Sequence, residues 1–231
     1  MSIIKKWIKQ TERLSFLTQE RIHDLVREIE NDPVYPEFHA YMITHPDQET
    51  QRDIDLLDLA YAIASHSQID IPHDKLVLFS GDGQKVAEDI LVHHPDMQAI
   101  HTRPAGVMLE ILNLFHDRTP IAWHDAYLPW NMLAARLVEN TTGNITAYYQ
   151  NARAVGTFRS VELGIALNNN QISTINHANK YLMQEMVTGD LKTFKKLQKN
   201  ALIELEDRAR AHDLQENPIW AFFKLPLLTH Q

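Results

Sequence analysis

The stretch Gly156–Asn170 reads GTFRSVELGIALNNN, and from Ser160 to Asn179 its only formal charge is the carboxylate of Glu162. A lone carboxylate in an apolar run is expensive to bury unless something satisfies it. Held in a water-poor place, such a group can stabilise a developing positive charge, act as a nucleophile or accept a proton. If 158–166 is extended, side chains alternate: Val161, Leu163, Ile165 and Leu167 face the core, while Phe158, Ser160, Glu162, Gly164 and Ala166 face the other way. Small residues beside a carboxylate leave room for a ligand, and an aromatic at the edge offers a stacking face. The competing reading is a half-exposed glutamate paired with Arg153 or Arg159.

Other residues could also do chemistry. Thirteen histidines include five His-Asp dipeptides, at His23-Asp24, His73-Asp74, His116-Asp117, His124-Asp125 and His212-Asp213. An HD-type metal phosphohydrolase needs such a pair together with an outlying His and Asp, converging on a divalent ion from buried helices. None of the five lies on a long apolar helix, so no metal is expected. His93-His94-Pro95-Asp96 reads as a helix end, with histidine near the negative end of the dipole. Ser80-Gly81-Asp82-Gly83 is too short for a dinucleotide or Walker-type loop and reads as a turn.

Composition narrows the classes. The 231-residue chain carries 30 acidic against 22 basic residues, a net charge of −8, which argues against nucleic acid as a partner because phosphate contacts need clustered Lys and Arg. The one basic run, Lys192–Lys199, reads as a solvated helix face. With no cysteine there is no disulfide, thiolate nucleophile or Cys-ligated metal, as suits a reducing compartment. MSIIKKWIKQTERLSF lacks the apolar stretch of a signal peptide, and no run approaches about 20 apolar residues, so neither a membrane partner nor signal-peptide export is expected. The expected location is the cytoplasm, or delivery by a route that needs no signal peptide. Asn140-Thr-Thr and Asn144-Ile-Thr match the glycosylation pattern by coincidence on that reading.

The elements that must position these residues follow from periodicity. Residues 3–30 carry Ile4, Trp7, Ile8, Leu14, Leu17, Ile22, Leu25, Val26 and Ile29 at helical spacing and predict one helix, stopped by Asp32-Pro33. A polar loop and a helix over Asp53–Ser65 follow. At Lys75 the texture changes: Leu76–Phe79 predicts a strand, Ser80–Gly83 a turn and Gln84–His93 a helix, the opening of a βαβ unit. Helices are predicted over Pro104–Phe115 and Pro129–Glu139, strands over Ile145–Tyr149, Val161–Leu167 and Ile172–Ile175, and a long helical tail from Lys180 to Leu214. The expected fold is α/β: a helical N-terminal subdomain, 1–70, packed on an α/β part, 71–231, with a small, mainly parallel sheet, flanking helices and a long C-terminal helix.

Thr157-Phe158-Arg159-Ser160-Val161-Glu162-Leu163 resembles the motif around the catalytic glutamate of the ADP-ribosyl cyclase/NAD glycohydrolase family, where a Thr-Phe pair precedes Ser-Val-Glu. Pro129-Trp130, 32 residues upstream of Glu162 and followed by the run to Tyr149, is similar to the family's tryptophan helix and next strand. Phe79-Ser80 stands where that family carries an aromatic-Ser pair at a strand end. The likeness spans about residues 75–175. Four departures touch phosphate grip and the partition between cyclisation and hydrolysis. Phe79 replaces a tryptophan, Gly81 an arginine and Ala134 a serine, and Thr102-Arg103-Pro104-Ala105 lies where an acidic pair is expected. The animal members are also disulfide-rich.

The resemblance implies an enzyme that breaks the nicotinamide–ribose bond of NAD or NADP, with hydrolysis or cyclisation to follow. The dinucleotide is the substrate and no cofactor is needed. Nicotinamide leaves as a neutral ring from a cationic ribosyl pyridinium, so no general acid is required, and the barrier is the positive charge that builds on the ribose. On this reading Glu162 supplies the counter-charge and Trp130 stacks on the substrate. Thr157 and Phe158 support phosphate or ribose, Phe79 and Ser80 form the opposite wall, and Thr102 and Trp123 are further substrate contacts. A toxin or effector role, with a cognate inhibitor or immunity protein as partner, follows by analogy only. Two rivals remain open: a nucleoside deoxyribosyltransferase-like enzyme, whose glutamate is a covalent nucleophile, and a non-enzymatic protein that binds a partner through its N-terminal helices.

Overall fold

The computed structural model describes residues 2–45, 53–81, 83–114, 123–143, 145–150, 157, 161–162 and 174–175. The chain forms two compact units, Met1–Ile69 with Ile100–Leu133, and Asp70–Ala99 with Ala134–Gln231. They are not the two consecutive blocks, 1–70 and 71–231, expected from sequence. Residues 100–133 fold with the N-terminal helices because the helix at 104–111 offers them an apolar surface on every side.

The first unit is helical. Helix α1, Ile3–Gln10, buries Ile4 and Ile8 one turn apart and sets Trp7 edge-on to Phe38, with ring centroids 5.9 Å apart. The single helix expected over 3–30 is broken after it. Thr11 turns extended and its hydroxyl donates to the Trp7 carbonyl at 3.0 Å, an alternative to helix that Ser and Thr offer the backbone. A 3-10 turn, Glu12–Leu14, follows, and Thr18 caps helix α2, Gln19–Glu30, by accepting the Arg21 N–H at 3.2 Å. Ile22, Leu25, Val26 and Ile29 form its buried stripe.

Helix α3, Tyr35–Thr44, occupies what was expected to be loop. Pro36 misled there, since a proline in the first turn loses no helical hydrogen bond. Helix α4, Asp53–His66, agrees with its expected span to within a residue. Asp32, 4% exposed, joins the two ends of this helical hairpin: one carboxylate oxygen accepts the Val34 N–H at 3.0 Å and the other the Gln68 N–H at 3.1 Å.

Helix α5, Gly83–His93, belongs to the second unit. Helix α6, Pro104–Ile111, is the first unit's centre: all eight residues are buried, and α1, α2 and α4 pack against it. A 3-10 turn at Ile100–Thr102 leads into it so closely that a Cβ on Gly106 would lie 1.8 Å from the Ile100 carbonyl oxygen. Only glycine permits that approach. Asn113, at φ 60°, ends the element in the left-handed region that asparagine tolerates. Helix α7, Trp123–Glu139, starts six residues before the expected Pro129, which sits inside it at the cost of one backbone hydrogen bond. Among the described residues no helix is long and apolar enough to cross a membrane.

In the second unit, strand β1, Val77–Gly81, pairs in parallel with β2, Thr146–Gln150, with Val77 opposite Thr146 and Gly81 opposite Gln150. Thr174–Ile175, β3, continues the pairing on the far side of β2. Helix α5 packs on β1 and β2. The strands start from a clasp of two loops: the Asp74 N–H donates to the Thr142 carbonyl at 3.1 Å, and His73 Nδ1 lies 3.2 Å from the Thr142 hydroxyl. Gly143, at φ 80°, has no room for a side chain, since a Cβ would sit 2.2 Å from Asp74 Oδ1. The described residues are thus mostly helical, with a short patch of parallel pairing. The expected tail helix, 180–214, lies outside them.

Replacing Asp32 with Ala strands two N–H groups that now meet a carboxylate. Asp32→Ala is expected to lower the free energy of unfolding by about 2–3 kcal/mol, read from denaturant titration, and Asp32→Asn by less.

Candidate functional site

Glu162 is 5% exposed and so is its neighbour Val161. Both lie in a wide, π-type helical turn, and Thr157 is helical and half-buried. The strand expected over 158–166 is therefore wrong at these positions: adjacent residues are both buried rather than facing opposite ways. Glu, Leu and Ala are good helix formers, and a short apolar run does not separate strand from helix by periodicity. The inference that Glu162 is buried survives the loss of its geometry. Turns of this kind recur at functional positions.

Burial drives the Glu162 carboxyl group up to about 8 from an ordinary value of 4.5. Glu162 has no ion pair or hydrogen bond among the described residues. In the same unit Phe79 and Ser80 are the third and fourth residues of β1, opposite Tyr148 and Tyr149 of β2, and Phe79 is half-buried. Parallel strands run toward their carboxyl ends at Gly81 and Gln150, the end where α/β sheets present ligand-binding turns. Phe158 lies outside the described residues.

The other expected site residues belong to the first unit. Trp130, on α7, is 2% exposed and meets His101 edge-on, with ring centroids 5.6 Å apart. Thr102 is 3% exposed, and its carbonyl accepts a hydrogen bond from Arg21 Nη2. Both are buried in the core of their own unit. Trp123 is the first residue of α7, and its side chain lies outside the described residues.

That core holds a polar cluster the sequence reading missed. Glu110, on α6, has a fully buried side chain, with Oε1 3.0 Å from His101 Nδ1 and 3.2 Å from Arg13 Nε. Arg13, 26% exposed, comes from the 3-10 turn after α1. Beside it Arg21 clamps Glu28 through two contacts, at 2.6 and 3.3 Å, and Arg103 reaches the same carboxylate at 3.5 Å. One buried acid and one half-exposed acid thus tie residues 101–103 to three segments. The signal was present: Glu110 is the only charge in the apolar run Pro104–Phe115, the pattern that singled out Glu162.

No group of three or more His, Asp or Glu side chains among the described residues is placed to hold a metal ion. His23-Asp24 and His73-Asp74 are local: Asp24 pairs with Arg27 one turn on, and His73 Nε2 meets its own neighbour Asp74 at 3.3 Å. No family model, curated protein or solved structure matches the chain.

Two measurements separate the two acids. Arg13→Ala leaves the Glu110 charge buried with less to answer it and is expected to cost about 3 kcal/mol in denaturant melts. Arg13→Ala/Glu110→Gln should recover part of that loss, because the stranded charge goes with it. At Glu162 the folded state keeps a proton that the unfolded chain releases, so stability present below about pH 4.5 is lost as pH rises toward about 8. Relative to Glu162→Gln, the wild type should lose about 1.4 kcal/mol per pH unit inside that window and nothing outside it. Parallel pH profiles for the two proteins would show no core role for Glu162.

Proposed function

We propose that the protein cleaves the nicotinamide–ribose N-glycosidic bond of NAD or NADP, with Glu162 as the charge that stabilises the ribosyl cation. The observation that carries this reading is the burial of Glu162 without any protein counter-charge among the described residues. An acid that merely stabilised the fold would be answered, as Asp32 is by two N–H groups and Glu110 by Arg13 and His101. The likeness of Thr157–Leu163 to the motif of the ADP-ribosyl cyclase/NAD glycohydrolase family supports the choice of substrate. On the same reading the parallel patch is the rim of a small sheet in an α/β catalytic half, and Phe79, Ser80, Thr157 and Phe158 border the substrate.

The chemistry asks little of the protein. As the C–N bond lengthens, its electron pair returns to the pyridinium nitrogen, nicotinamide leaves neutral, and positive charge appears on the ribose carbon and ring oxygen. A carboxylate fixed beside that carbon in a dry place interacts with it more strongly than in water and needs no solvent rearrangement. Water, or the adenine ring in a cyclase, then takes the open face.

Incubating the protein with NAD and separating the products tests the proposal. Free nicotinamide with ADP-ribose or a cyclic product is expected. Glu162→Gln should lower turnover by about 100-fold or more while the thermal melt at about pH 5 stays within a few degrees of wild type. Nicotinamide release that is unchanged in the variant, or absent in wild type, would overturn the assignment. A trapped covalent glycosyl-glutamate would instead favour the deoxyribosyltransferase-like course.

A further inference from the structure

Helix α3 carries more apolar surface than its own unit buries. Phe38, Tyr41 and Met42 face the core. On the opposite side Pro36, Ala40 and Ile43 form a second stripe at i, i+4 and i+7, all three exposed, Ile43 by 53%. A helix that is apolar on both sides belongs where both are covered. Helix α1 adds to the same surface. Its core side is Ile4 and Ile8, while Ile3 is 40% exposed and Trp7, one turn on, is half-buried.

Ile3 and Ile43 are the exposed large hydrophobic residues among those described, and a continuous path of side chains joins them. Ile3 and Trp7 are one turn apart on a face of α1, and His39 and Ile43 are one turn apart on a face of α3. Across the seam the centroids of the Trp7 and His39 rings are 6.1 Å apart. Single exposed apolar residues are ordinary on a protein surface, whereas a connected band across two helices marks a contact surface.

Charge says what covers the band. At about 100° per residue, the side chains around α1 leading away from the seam run from Trp7 through Ile3 and Gln10 to Lys6 and Lys9. Around α3 they run from His39 through Ile43, Pro36 and Ala40 to Glu37. Lys6, Lys9 and Glu37 are exposed, so the band is basic along its α1 edge and acidic along its α3 edge. An anionic lipid surface would answer the lysines and repel Glu37. A second copy answers both: a twofold axis along the seam lays the apolar band on itself and sets Lys6 and Lys9 of each copy against Glu37 of the other. We propose that the face formed by α1 and α3 pairs with the same face of a second copy, making the protein a homodimer. This pairing is independent of the function assigned to Glu162.

Sedimentation equilibrium of the whole chain between about 1 and 200 μM tests the proposal, and the apparent mass should climb from one chain toward two. Ile43→Asp buries an unanswered charge at the contact and should raise the dissociation constant about 100-fold or more, with the thermal melt of the monomer unchanged. Lys6→Glu/Lys9→Glu makes both edges acidic, and Glu37→Lys makes both basic, so each variant alone should stay monomeric. Mixed one to one, the two should pair, because every edge then meets its opposite. Mixing cannot repair a misfolded chain, so recovery separates a lost contact from a lost fold. Wild type that stays monomeric over this range would overturn the inference, as would a dimer indifferent to Ile43→Asp or charge variants that fail to pair when mixed. A monomer that cosediments with phosphatidylserine vesicles would give the face to lipid and overturn it as well.

Discussion

A carboxyl group taken out of water must find a counter-charge, a set of N–H donors or a proton. The protein uses each answer once among its described buried acids. Asp32 takes donors and in doing so fixes where α2 ends and where α4 ends. Glu110 takes Arg13 and His101 and so anchors the N-terminal turn and residues 100–102 onto α6. Burial pushes the Glu162 carboxyl group up, toward the third answer. Asp32 and Glu110 tie the first unit together.

Buried ion pairs of the Glu110 kind are weak contributors to net stability, because desolvation offsets much of their attraction. Their effect here is geometric. With Gly106 letting the Ile100 carbonyl touch the helix, the His101 contact admits one placement of the 3-10 turn on α6. The edge-on Trp130 ring lies against that fixed imidazole. The first unit is thereby a defined helical core with a polar centre rather than a loosely packed apolar one.

A solitary charge in an apolar run marks a buried acid at Glu162, where the sequence was read that way, and at Glu110, where it was not. What it did not reveal was the secondary structure around Glu162, since SVELGIAL satisfies strand and helix patterns about equally. Two helical stretches were read well, and α4 and α5 lie close to their expected spans. The errors have local causes that periodicity overlooks: a Thr11 hydroxyl that diverts the backbone, a Pro36 that suits a first turn, a Pro129 tolerated mid-helix. The return of residues 100–133 to the N-terminal helices was not legible because helix α6, apolar on all sides, specifies burial without saying against what.

The loop clasp ahead of β1 and β2 bears on the order in which the chain can fold. His73 and Thr142 are 69 positions apart, so the clasp closes only after a long segment has been drawn in. The entropy of closure rises slowly with length, yet it is spent before any strand pairing rewards it. The first unit meets the same demand, since Arg21 and Thr102 are 81 positions apart, and strand register in turn waits for Asp74 and Gly143 to meet. A side chain at Gly143 would obstruct that meeting, leaving a chain with its helices in place and two unpaired strand edges open to other molecules.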